Sequence, residues 1–119
     1  MLEMKMSDCI FCQIAEKKIP AQMVLETDEW VAFRDVNPQA PTHILFIPRK
    51  HISTVNDLTE NDKGLMGGLL LQAQWMAKKI GISEEGYRLV LNCNRGAGQT
   101  VFHIHLHLLA GRPFSWPPG

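Results

Sequence analysis

Apolar and polar residues alternate most strictly near the end of the chain, where residues 102–109 read FHIHLHLL. A strand sends successive side chains to opposite faces. The pattern therefore predicts Ile104, Leu106 and Leu108 on one side of a strand and His103, His105 and His107 on the other. A helix does not fit, because positions two apart on a helix do not face one another. Four more segments have strand character: QMVLE and EWVAFRD, joined by a polar turn at residues 27–29, then THILFIP, stopped by Pro48, and YRLVLNC. TVFHIHLHLLA is the predicted fifth strand, ended by Gly111 and Pro113. Helical spacing occurs twice. Ile10, Phe11 and Ile14 predict a short helix to about Glu16, capped by Ser7 or Asp8. Leu65, Met66, Leu69, Leu70, Ala73, Met76, Ala77 and Ile80 predict a long one. Thr59 would open it with Asp62 as capping-box partner, and Gly81 would close it. Gly67 and Gly68 in its middle predict the close approach of another backbone. Five strands with hairpin-compatible links and two helices make an α+β domain with an antiparallel sheet.

Composition narrows the function. A chain of 119 residues is read as one domain. Twelve basic residues balance twelve acidic ones with no basic stripe, so nucleic acid is excluded as the expected partner. No segment is apolar enough for a signal peptide or a membrane span, so the expected location is cytoplasmic, with no membrane partner. Residues 1–6, which include three methionines, are expected to be disordered. In the cytoplasm Cys9, Cys12 and Cys93 are not expected to form structural disulfides.

Three readings of the histidine row compete. It can be a polar strand face without chemistry. It can be a metal site, although His103 and His107 lie about 13 Å apart along a strand, too far for one ion to take all three. Cys9 and Cys12, spaced C-x-x-C, and His51 are further candidate ligands. A redox pair is disfavoured because no strand feeds that helix. The third reading is nucleophilic: a neutral imidazole attacks through one nitrogen while the other donates its proton to an acceptor, and its neighbours bind phosphate or pass a proton. The preceding NRGAGQT favours this reading, since Gly96 and Gly98 let successive N–H groups turn toward an anion.

HIHLHLL also resembles the signature of the histidine triad (HIT) family. The likeness extends to DCIFCQIAEKKIPA, to AFRDVNPQAPTHILFIPRKHI and to GYRLVLNCNRGAGQTVFHIHLHLLAGR. The closing WPPG is similar to the Hint branch, whose members hydrolyse nucleoside phosphoramidates. The resemblance implies a single HIT domain over residues 1–119, with 111–119 as a tail, and a homodimer whose two five-stranded sheets join into a ten-stranded one. It implies hydrolysis of purine nucleoside 5′-phosphoramidates, with His105 as nucleophile and a nucleotidyl-histidine intermediate. His103 would hold the His105 tautomer through its carbonyl, His107 would contact phosphate, and His43 would be a further active-site histidine. Thr100, where relatives often carry serine, would serve the leaving nitrogen. Asn92, Gly98 and Gln99 match phosphate or ribose contacts, and Asp35 matches the carboxylate that takes both ribose hydroxyls. Ile10, Phe11, Ile14 and Phe33 match the purine walls, with Arg34 and Val36 at their edge. Trp116 would reach the partner's site. No cofactor is required for catalysis, but Cys9, Cys12, His51 and His103 match a structural zinc site of some relatives. Cys93 matches no functional position. The rival activities are dinucleoside polyphosphate hydrolysis and a zinc-containing nucleotide-binding adaptor with little turnover.

Overall fold

The computed structural model describes residues 8–119; the expected disorder of residues 1–6 and the proposed cap at Ser7 lie outside them. Seven elements follow one another: α1 (Ile10–Ala15), β1 (Met23–Glu26), β2 (Trp30–Arg34), β3 (Thr42–Pro48), α2 (Lys63–Lys79), β4 (Arg88–Val90) and β5 (Leu106–Ala110). The strands form one sheet in the order β1-β2-β3-β5-β4, every neighbouring pair antiparallel. This is the expected α+β architecture. Among the described residues no helix is long and apolar enough to cross a membrane.

The sheet is buried on both sides, because alternate residues of each strand serve different helices. Ala32, Ile44, Phe46, Leu106 and Leu108 pack under Leu69, Ala73, Met76 and Ala77 of α2. Val31, Phe33, Leu45 and Ile47 face the other way, against Phe11, Cys12, Ile14 and Ala15 of α1. The histidine side of β5 is therefore the α1 side, and α1 leaves part of that face open.

Element boundaries depart from the sequence pattern for local reasons. The α1 cap is Cys9, whose Sγ accepts the Cys12 N–H at 3.4 Å. Thr59 and Asp62 do form the expected capping box, but it closes a single 3₁₀ turn before α2 begins at Lys63. The fifth strand begins at Leu106, so of the three histidines only His107 lies inside it. Register explains the late start. Phe46 pairs with Leu106, so the ladder would next oppose Pro48 to Ile104. Pro48 has no N–H to give, and the Ile104 N–H turns instead to the Ile52 carbonyl at 2.7 Å.

The glycines of α2 admit a side chain rather than a backbone. A Cβ on Gly68 would collide with the ring of Trp30, whose indole N–H donates to the Leu65 carbonyl at 3.0 Å. Gly67 has nothing within 4 Å of its would-be Cβ. The two neighbours should therefore respond oppositely to alanine. Chemical denaturation should find Gly68→Ala destabilised by about 1–3 kcal/mol through overpacking. Gly67→Ala should be neutral or stabilised by up to about 1 kcal/mol through helix propensity. Equal effects at both positions would contradict the Trp30 contact.

Candidate active site

The chain entering β5 brings His103, His105 and His107 beside β3, where His43 projects from the same face. Each imidazole has a partner that fixes where its proton sits. His105 Nδ1 lies 2.8 Å from the His103 carbonyl, which can only accept, so Nδ1 carries the hydrogen and Nε2 keeps its lone pair. His43 is arranged the other way round. Its Nδ1 accepts the Gln39 backbone N–H at 3.0 Å, so the proton of the neutral ring is on Nε2. That Nε2 lies 2.9 Å from His107 Nδ1 and 3.4 Å from Asp35 Oδ2. His107 Nδ1 therefore accepts, and His107 Nε2 bears a hydrogen. The His105 and His107 rings are 4.9 Å apart, one offering a lone pair and the other an N–H.

Burial keeps these rings neutral. Desolvation lowers the pKa of His43 and of His105, although the Asp35 carboxylate pulls both upward, as does the His103 carbonyl for His105. His107 is pushed down to about 4, first by burial and then by the neighbouring His105 and His43.

His105 and His107 open onto a cleft of about 330 Å³. Ile10, Phe11, Ile14, Phe33, Arg34, Asp35, Val36 and Thr100 line it, as do Ile19, Pro20, Ala21, Leu45 and Val101. Strand alternation from His43 could have found Leu45; residues 19–21 belong to a connection that carries no periodic signal. Phe11 meets His105 edge-on at 5.1 Å and Phe33 at 5.3 Å. Six of the residues expected at the site lie outside the cleft lining. Trp116 is exposed, Asn92 is half-buried just after β4, and His43 and His103 are buried behind the cleft. Gly98 takes a left-handed conformation after the 3₁₀ turn Arg95–Ala97. Gln99 is buried, its amide bonded to the Asn94 N–H and to the carbonyls of Ser53 and Val101.

Among the described residues two side-chain clusters could hold a metal ion, and hydrogen bonding separates them. In Asp35, His43 and His107, the Gln39 N–H occupies His43 Nδ1 and leaves the proton on the nitrogen an ion would need. That cluster is a hydrogen-bond relay. In Cys9, Cys12, His51 and His103 the remote nitrogens face oxygen. His103 Nε2 donates to the Pro48 carbonyl at 2.8 Å, and His51 Nε2 is 3.3 Å from Ser53 Oγ. Both Nδ1 atoms are left for the thiols: His103 lies 3.4 and 3.5 Å from the two sulfurs, and His51 3.3 Å from Cys12. Tetrahedral zinc sets ligand separations of roughly 3.4–3.8 Å, so the donor set fits. Burial and the neighbouring Cys9 push the Cys12 thiol up to about 12, so a cation is what would drive off its proton.

A five-stranded antiparallel sheet with three histidines entering its fourth position beside an apolar cleft is the architecture of histidine triad proteins. The HIT domain family matches residues 16–114, and this chain belongs to it. An uncharacterized HIT-like protein of Synechocystis is 52% identical over 112 residues, covering 94% of this chain and 97% of that protein. The purine nucleoside phosphoramidase of Escherichia coli K12 is 48% identical over 106 residues, 89% of either chain. A HIT family hydrolase from Legionella pneumophila has a crystal structure 55% identical in sequence, with TM-score 0.92 over 93% of this chain and 99% of its own.

The depressed pKa of His107 has a consequence for stability. Its ring binds a proton near pH 6.5 in the unfolded chain and only near 4 in the folded one. The unfolded state therefore holds more protons between those values, and stability falls as pH is lowered through that window. The contribution of this one group is at most about 3 kcal/mol. Denaturation series from pH 7.5 to 4 should show a shallower loss for His107→Gln than for the wild type. Parallel slopes would refute the shift.

Proposed function

We propose that this protein hydrolyses purine nucleoside 5′-phosphoramidates, in which AMP or GMP is joined through nitrogen to an amine. The observation that carries this reading is the 2.8 Å bond from His105 Nδ1–H to the His103 carbonyl, which leaves Nε2 as a neutral nucleophile at the cleft. His105 Nε2 attacks the α-phosphorus, the phosphorus–nitrogen bond breaks, and the departing nitrogen takes a proton relayed through the Thr100 hydroxyl, a proton that the water of the second step replaces. Water then cleaves the nucleotidyl-imidazole and restores the ring. His107 Nε2–H binds a phosphoryl oxygen as charge develops there. Thr100, at the cleft wall, serves the leaving nitrogen with its hydroxyl. The Escherichia coli relative is named for this activity.

The cleft supports a purine nucleoside. Phe11, Ile14 and Phe33 supply buried apolar walls, while Ile10 and Val36 are exposed apolar residues at its edge, with Arg34 beside them. Asp35 Oδ1 already accepts the Asn37 N–H at 2.9 Å, but a carboxylate has lone pairs left for two ribose hydroxyls. Asn92 and the loop turned by Gly98 and held by Gln99 are assigned to the phosphate or the ribose.

In the same reading two copies pair through β4, joining their sheets into one of ten strands, and each Trp116 reaches the other's cleft. In support, β4 is a sheet edge, Leu91 beside it is exposed, and Arg88 on β4 holds the Ser115 carbonyl at 2.9 Å. The reading also includes a structural zinc ion on Cys9, Cys12, His51 and His103. Four protein ligands leave no open position, so zinc would hold α1 against His103 and take no part in the reaction. A cytoplasmic location accords with three free cysteines.

His105→Ala should lower turnover of an adenosine phosphoramidate by about 10³-fold or more. Equal turnover by the two proteins would overturn the role of His105, and faster release of nucleotide from a diadenosine polyphosphate would overturn the substrate. Metal analysis of protein purified without chelator should find about one zinc per chain, lost in Cys12→Ser. Less than about a tenth of an equivalent in the wild type would end the zinc proposal.

A further inference from the structure

The hydrogen-bond line that ends at His107 begins at the backbone N–H of Gln39, and the carbonyl of the same residue is held from far along the chain. The Gln39 N–H donates to His43 Nδ1 at 3.0 Å, and the Gln39 carbonyl accepts from Arg112 Nε at 2.9 Å. The Gln39 side chain donates to the Asn37 carbonyl at 3.0 Å, while the Asn37 N–H donates to Asp35. This exposed loop would otherwise have little to hold it, since only Ala40 of residues 36–41 is buried. The chain leaving β5 turns back onto it through Gly111, at φ +97°, where a Cβ would lie 2.8 Å from that of Pro41. The Arg112 guanidinium is itself braced, lying 4.4 Å over the Phe114 ring, which also sits 5.1 Å from the Arg88 guanidinium.

The geometry points to Arg112 as a positioning residue of the active site: by pinning the Gln39 carbonyl it keeps the Gln39 N–H on His43 Nδ1 and so fixes the protons of His43 and His107 on Nε2. Without that N–H, His43 can carry its proton on Nδ1 and turn a lone pair toward His107. His107 would then move its own proton to Nδ1 and lose the N–H that faces the cleft. Arg112 touches neither the histidines nor the cleft; it acts through the backbone of one residue, Gln39. Arginine suits the task because its planar head can stack on Phe114 while Nε donates sideways.

The importance of the His107 N–H rests on the proposed hydrolase reading, but the position of the protons does not. Full-length wild type, Arg112→Ala and Arg112→Lys are therefore compared in two ways. Long-range 1H–15N spectra of the histidine rings report which nitrogen carries hydrogen. They should show His43 and His107 as Nε2–H tautomers in the wild type and a mixture in Arg112→Ala, with Arg112→Lys, which keeps a donor for the carbonyl, returning toward the wild-type pattern. Adenosine phosphoramidate kinetics should show kcat lower by about tenfold in Arg112→Ala, the equivalent of one hydrogen bond, and KM within about twofold. Unchanged His43 signals in Arg112→Ala, or no recovery in Arg112→Lys, would overturn the assignment. If the wild type fails to cleave the phosphoramidate, the hydrolase reading falls while the spectra still decide the role of Arg112.

Discussion

The site depends on the hydrogen bond from His103 Nε2 to the Pro48 carbonyl. His103 is fully buried and bonds in three directions. Its Nε2 is tied to the end of β3, its Nδ1 faces the thiols at the start of α1, and its own carbonyl holds His105. Burial pushes its pKa down to about 4, against the opposing pull of the Pro48 carbonyl. The neutral ring keeps its Nδ1 lone pair toward the two sulfurs. One buried imidazole thus joins the sheet, the N-terminal helix and His105.

Polarity organises the remaining histidines. One line runs from the Gln39 N–H through His43 to His107 and ends in an N–H. The other starts at the His103 carbonyl, passes through His105 and ends in a lone pair. Both are built from neutral rings, and both ends lie at the same cleft, beside the Asp35 carboxylate. Burial supplies the neutrality, while main-chain groups of fixed direction supply the polarity. Each line keeps its direction only while the main-chain group at its start stays in place, the Gln39 N–H for one and the His103 carbonyl for the other.

The parts of this arrangement that were legible in the sequence are those written in side chains. The alternation of FHIHLHLL put the imidazoles on the face opposite Leu106 and Leu108, and the structure has Leu106 and Leu108 under α2. Residue chemistry likewise marked Cys9, Cys12 and the apolar positions around Ile14. What the sequence did not disclose depends on main-chain partners or on register. The strand begins at Leu106 because of what Pro48 lacks, which is visible only once the two strands are aligned. Gly68 reads as a weak point of a helix until Trp30 is seen against it. Arg112 and Gln39 had no signature at all, since a carbonyl and an N–H are present at nearly every residue.

The same logic separates the two polar clusters. Each contains two imidazoles whose nitrogens lie within reach of further donors, two thiols in one cluster and a carboxylate in the other. They differ in what meets the nitrogen pointing away from the cluster. For His103 that partner is the Pro48 carbonyl, which can only accept, so the near nitrogen is left as a lone pair free to ligate; for His51 it is the Ser53 hydroxyl, which can accept in the same way. For His43 it is the Gln39 N–H, which can only donate, so the near nitrogen carries a proton and can pass it on. An imidazole becomes a ligand or a proton donor according to whether an acceptor or a donor stands behind it. In this chain the partner behind each of these rings lies outside the histidine motif: the end of β3 for His103, the segment after it for His51 and the segment before it for His43.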